Sequence, residues 1–118
     1  GEDGLDELTT TGLSTVYDVK NGSVRETHLD PASLGLPRAR AADLVGGDAQ
    51  ISAEIARQIL DGELGPRRDV VVLNAGAALE IAGFAANLEE GMVTAARTID
   101  DGDARATLAR WVEVSNAG

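Results

Sequence analysis

The stretch STVYDVKNGSVRETHL, residues 14–29, decides how the chain begins to fold. Two β-prone runs flank Asn21-Gly22, the dipeptide favoured in two-residue hairpin turns because both central positions need φ > 0. That turn sets Val19 opposite Val24 and Asp18 opposite Arg25. Tyr17, Val19 and Val24 then share one face. Asp18 and Arg25 share the other, where opposite charges support the register. The spacing predicts an antiparallel hairpin over 14–29.

Outward from the hairpin, the N-terminal side (residues 1–13) reads as a loop with a short extended piece, because Gly1, Gly4 and Gly12 interrupt any helix. On the C-terminal side, Asp30-Pro31 opens a short turn or 3₁₀ segment, and residues 38–45 suit one or two helical turns closed by Gly46-Gly47. Residues 49–61 predict a helix: Asp48 caps it, Ile51, Ile55 and Ile59 repeat at i+4, and Gly62 follows as a stop. Residues 69–83 are ambiguous by pattern, since Val70–Leu73 would also suit a buried strand. The alanine-rich continuation and Asp69 as a cap favour one buried helix. A further helix over 88–101 starts at Asn87 with Glu90 as a capping pair and buries Leu88, Met92 and Ile99. The last, over 103–114, turns Leu108, Trp111 and Val112 inward. The expected class is α+β: a hairpin plus about four helices.

Composition narrows the function. The chain is 43% hydrophobic but only 3% aromatic, so an aliphatic core is expected rather than disorder. Its net charge of −10 lacks the positive footprint that nucleic acid or an anionic membrane surface requires. There is no cysteine, hence no disulfide, thiolate zinc site or cysteine nucleophile. No apolar run approaches the roughly 20 residues that span a bilayer. GEDGLDEL at residues 1–8 has neither the basic nor the apolar region of a signal peptide. Beginning on a charged motif rather than methionine, the chain is expected to be part of something longer.

That same octapeptide is the sharpest candidate site. Asp3, Asp6 and Glu7 cluster there beside Glu2, and crowded carboxylates repel unless a cation compensates. Magnesium takes oxygen ligands and usually keeps waters, so one or two carboxylates suffice. In an extended loop, adjacent Asp6 and Glu7 would point in different directions. By composition alone the segment reads as a solvated acidic turn. Among the other polar residues, Arg67 and Arg68 read as solvated, Asn74 as satisfying a buried backbone group, His28 as a strand residue and Asp48 as a cap.

GEDGLDEL followed by threonines and a hairpin resembles the DGLDE segment of the anthranilate phosphoribosyltransferases. The similarity continues through LDPASLGL (29–36), LVGGDAQISAEIARQILDGELGPRRDVVVLNAGAAL (44–79) and LEEGMVTAARTIDDGDARATLARW (88–111), nearly the whole chain in order. The resemblance implies an α/β parent domain of the nucleoside phosphorylase/phosphoribosyltransferase type, with residues 1–118 as its C-terminal part. It implies transfer of a phosphoribosyl group from phosphoribosyl pyrophosphate to anthranilate in tryptophan biosynthesis, with Asp6 and Glu7 binding Mg²⁺. Carried further, it implies a cytoplasmic homodimer. The family's GTGGD-type and KHGN-type segments, which meet the diphosphate and the anthranilate, do not occur in this sequence. Two alternatives stay open: a non-enzymatic acidic interaction module, and a related phosphoribosyltransferase or nucleoside phosphorylase of the same fold.

Overall fold

Asn21 and Gly22 adopt φ of 52° and 76°, the left-handed values that the turn demands. They join β1 (Ser14–Lys20) to β2 (Ser23–Leu29) in an antiparallel pair with Val19 opposite Val24 and Asp18 opposite Arg25, the register expected from the turn. In this computed structural model, which describes all of residues 1–118, the far half of the hairpin stands in solvent and Tyr17, Val19 and Val24 are exposed.

A 3₁₀ segment, Pro31–Leu34, follows, capped by the Asp30 side chain on Ala32 N–H. Residues 38–45 form one helical turn of the one or two expected, the 3₁₀ segment Ala41–Asp43, closed by the Arg40–Asp43 ion pair. The four helices are α1 (Ala49–Leu60), α2 (Pro66–Ile81), α3 (Leu88–Asp100) and α4 (Asp103–Asn116). Asp48 caps α1 by accepting from Ile51 N–H at 2.9 Å. Asn87 caps α3 through Glu90 N–H, and Glu90 reaches back to Ala86 N–H, one residue beyond the usual reciprocal partner.

The start of α2 differs from the sequence expectation. Asp69 is not its cap. The helix begins three residues earlier at Pro66, with Gly65 as N-cap at φ 130°. Proline suits a first helical position, since its missing N–H is one that a helix start leaves unpaired. Asp69 falls within the first turn, where burial pushes its carboxyl up against the opposing pull of Arg68.

α2 and α3 form the centre of the molecule. Val72 and Leu73 from one, and Met92, Ala95 and Ile99 from the other, make the buried core. The helices approach closely because Gly76 and Gly91 meet: a Cβ on Gly76 would lie 2.7 Å from the Met92 amide nitrogen. Arg68 locks the same pair. Its guanidinium is buried and reaches Asp100 at 2.8 Å, which corrects the expectation of a solvated arginine. Arg67 donates to the Val45 carbonyl at 2.9 Å and ties the preceding connection to α2.

The inward placement of Trp111 and Val112 is also overturned. Ala104 and Leu108 turn toward the body of the molecule, but the stripe then runs past it. Val112 lines an open groove of about 540 Å³ with Ala53, Ala56 and Leu60 of α1, and Trp111 is 71% exposed.

Candidate functional site

Residues 1–13 contain no strand or helix, so polar side chains must hold their shape. Asn74 of α2 grips Leu8 on both backbone groups. Leu8 N–H donates to Asn74 Oδ1 at 3.0 Å, and Asn74 Nδ2 donates to the Leu8 carbonyl at 2.9 Å. The same Nδ2 donates to the Val70 carbonyl of its own helix at 2.9 Å. The amide thereby treats Leu8 as a neighbouring strand would, which meets the expectation that Asn74 satisfies a buried backbone group.

Asp3 anchors the loop from within. It accepts hydrogen bonds from Thr11 Oγ1, from Thr9 Oγ1 at 2.8 Å and from Leu5 N–H at 3.1 Å. The Thr11 hydroxyl first, then that of Thr9, holds the Asp3 carboxyl at about 2, because hydrogen bonds to a carboxylate favour its charged form. Thr9 N–H donates to Ser14 Oγ at 2.9 Å, joining the loop to the first residue of β1. Thr9, Thr10 and Ser14 are buried, so this polar floor belongs to the interior.

Asp6 and Glu7 sit on top of that floor, both exposed. Glu7 has φ 60°, one of two non-glycine residues with positive φ. The other, Asn21, belongs to a residue type that tolerates this region; glutamate has no such local reason. The expected extended path therefore does not hold at Glu7. Neither carboxylate takes a hydrogen bond or salt bridge within the chain, so their oxygens face outward as free acceptors. No group of three or more acidic or histidine side chains encloses a metal position. Two free carboxylates fit the protein's share of a magnesium shell, in which water and substrate oxygens supply the rest.

The neighbouring groove, about 540 Å³, lies between the hairpin and α2 and is lined by Glu7, Tyr17, His28, Asn74 and Ile81 among others. His28 lies 3.6 Å from Glu2 and 3.9 Å from Glu26, on the exposed strand where the sequence placed it. Asp48 stays at its cap, away from this loop. The Asp3–Thr9–Thr11 bonds were not among the sequence expectations, although their partners lie only six and eight residues apart. Nor did those expectations name Leu8 as the partner of Asn74, 66 positions away.

Residues 1–105 match the glycosyl transferase family, a/b domain. The chain is 52% identical over 117 residues to the anthranilate phosphoribosyltransferase of Methylobacterium nodulans, covering 99% of this chain and 35% of that protein. It is 51% identical over 122 residues to the enzyme of the same name from Thermobifida fusca, again with 99% and 35% covered. The crystal structure of anthranilate phosphoribosyltransferase from Thermus thermophilus superposes with a TM-score of 0.84 at 38% identity, covering 94% of this chain and 33% of that one. The Saccharomyces cerevisiae enzyme in complex with 4-fluoroanthranilate superposes at 0.82 with 22% identity, which speaks to the fold alone. The hairpin and four helices therefore match part of an α/β fold. The chain spans about a third of the length of the relatives it matches. With 105 consecutive residues matched and the order of elements preserved, the chain belongs to the glycosyl transferase family, a/b domain.

Proposed function

We propose that the full-length protein transfers a phosphoribosyl group from phosphoribosyl pyrophosphate to the amine of anthranilate, releasing pyrophosphate, in tryptophan biosynthesis. The observation that carries this is the 52% identity to an anthranilate phosphoribosyltransferase across 99% of the chain. Residues 1–118 are, on this reading, the C-terminal part of the α/β domain.

Asp6 and Glu7 are the donors this chain contributes to a Mg²⁺ site. Bound Mg²⁺ supplies charge neutralisation at the pyrophosphate leaving group. The chain's own part is positional. The loop holds the backbone that carries the two carboxylates, which have no competing partner in the chain. An acidic chain of net charge −10 has need of such an ion where a polyanionic substrate docks. The same reading takes the full-length protein as a cytoplasmic homodimer.

The test is consumption of anthranilate by the purified full-length protein with phosphoribosyl pyrophosphate and Mg²⁺. Turnover is expected, and it should fall by at least about 100-fold in the Asp6→Ala/Glu7→Ala variant if both donors are lost. No turnover by the folded wild-type protein would remove the activity. Unchanged kinetics in the variant would remove the two carboxylates from it. Sedimentation velocity reads the dimer separately.

A further inference from the structure

We infer that Asn74 is a positioning residue for Asp6 and Glu7, acting through the backbone of Leu8. The inference rests on the reading of those carboxylates as magnesium donors. Glu7 occupies a backbone region that L side chains rarely adopt, at φ 60°, and such a conformation persists only when its surroundings over-determine it. The residue that follows it is the one α2 seizes. Both backbone polar groups of Leu8 are bound by the single amide of Asn74, at 3.0 and 2.9 Å.

Asn74 is itself held. Its third hydrogen bond, to the Val70 carbonyl, orients the amide along the helix. Its neighbour Leu73 is fully buried in the α2–α3 core, so the amide projects from a helix packed into that core. No other residue type does this work. Aspartate keeps an acceptor for Leu8 N–H and loses the donor. Alanine loses both. Glutamine carries the same groups on a longer stem.

The loop has other supports, but none comes from a helix: the Asp3–Thr9–Thr11 bonds lie within residues 1–13, and Thr9 N–H and the Thr10 carbonyl tie it to Ser14 of β1 and to Ala39. Asn74 is the helical side chain that hydrogen-bonds the backbone beside Glu7, where the Leu8 side chain also packs against the core. Removing Asn74 should leave the two carboxylates present but on a backbone that is no longer held to the helix. Outer partners of metal-binding groups commonly change metal affinity about tenfold or more.

The experiment measures, by isothermal titration of full-length protein, the factor by which Mn²⁺ tightens the binding of phosphoribosyl pyrophosphate relative to EDTA. Asn74→Ala is expected to cut that factor about tenfold and leave the EDTA value within twofold. Asn74→Asp should fall between, and it serves as the reading variant where the alanine form does not fold. Val72→Ala, a core truncation in the same helix, lowers the melting temperature and should leave the factor unchanged. Loss of the Mn²⁺ effect in Asp6→Asn/Glu7→Gln with its full retention in Asn74→Ala would overturn the inference alone. Retention in the double variant would overturn the metal reading and the inference with it. An equal loss in Val72→Ala would assign the effect to general loosening and overturn the inference.

Discussion

Asp3 is the residue whose chemistry the structure states most directly. Its carboxyl is held at about 2, against an ordinary 3.8, by the hydroxyls of Thr11 and Thr9. A depressed carboxylate contributes stability that is fully present above its unfolded value. That contribution is lost as pH falls through the folded one, between about 4 and 2 here. Carboxyl-detected NMR titration should find the Asp3 midpoint near 2, and Thr11→Ala should move it toward 3.8. A midpoint unmoved by that substitution would show that the hydroxyl is not the cause. Asp43 sits equally low, at about 2, because Arg40 donates to it, but that pair is on the surface, and its loss should be barely visible in a melt.

The elements are joined at points where side-chain volume or charge has no slack. In an ordinary helix interior, glycine to alanine gains about 1 kcal/mol. At Gly76 the sign should reverse, because the added Cβ meets the Met92 backbone at 2.7 Å. Gly76→Ala and Gly91→Ala are each expected to destabilise by about 1–3 kcal/mol in urea melts. A gain in either would mean that α2 and α3 do not approach as described. The Arg68–Asp100 pair makes a second joint between these helices. Its asymmetry matters: Arg68 is 7% exposed while Asp100 is 57% exposed, so water already screens one side. Asp100→Ala should still cost about 1–3 kcal/mol, because the buried guanidinium keeps only a long contact to the Ala96 carbonyl. A loss within experimental error would show that the arginine finds water instead.

Over the whole molecule, surface dominates. Only 12 of 118 residues are buried, and the radius of gyration is 15.3 Å, where a compact chain of this length has about 13.5 Å. Trp111, Val114, Phe84, Ile81 and Leu64 are all more than 70% exposed. Apolar surface on that scale is a liability in a free monomer. Residues 1–118 expressed alone should therefore unfold broadly and at low temperature, and should self-associate in sedimentation velocity as concentration rises. A sharp, reversible melt above about 60 °C from a dilute monomer would contradict this.

Local rules sufficed wherever the partners were neighbours in sequence. The hairpin register followed from Asn21-Gly22, and the starts of α1 and α3 followed from Asp48 and Asn87, because turns and caps close within a few residues. They failed where the deciding partner was remote or missing. Arg68 reads as a surface charge until Asp100 and Ala96 of α3 are placed beside it, and Trp111 reads as core until α4 is seen to outrun the body it packs on. The acidic pair shows both sides. The proposal of Asp6 and Glu7 as magnesium donors rests on the resemblance, since composition alone reads the segment as a solvated acidic turn. That Glu7 is turned to φ 60°, and that Leu8 beside it is held by an asparagine 66 residues away, was decided by tertiary structure. Hydrogen bonds between distant segments leave no periodicity in the sequence, only the unexplained polar residue that makes them.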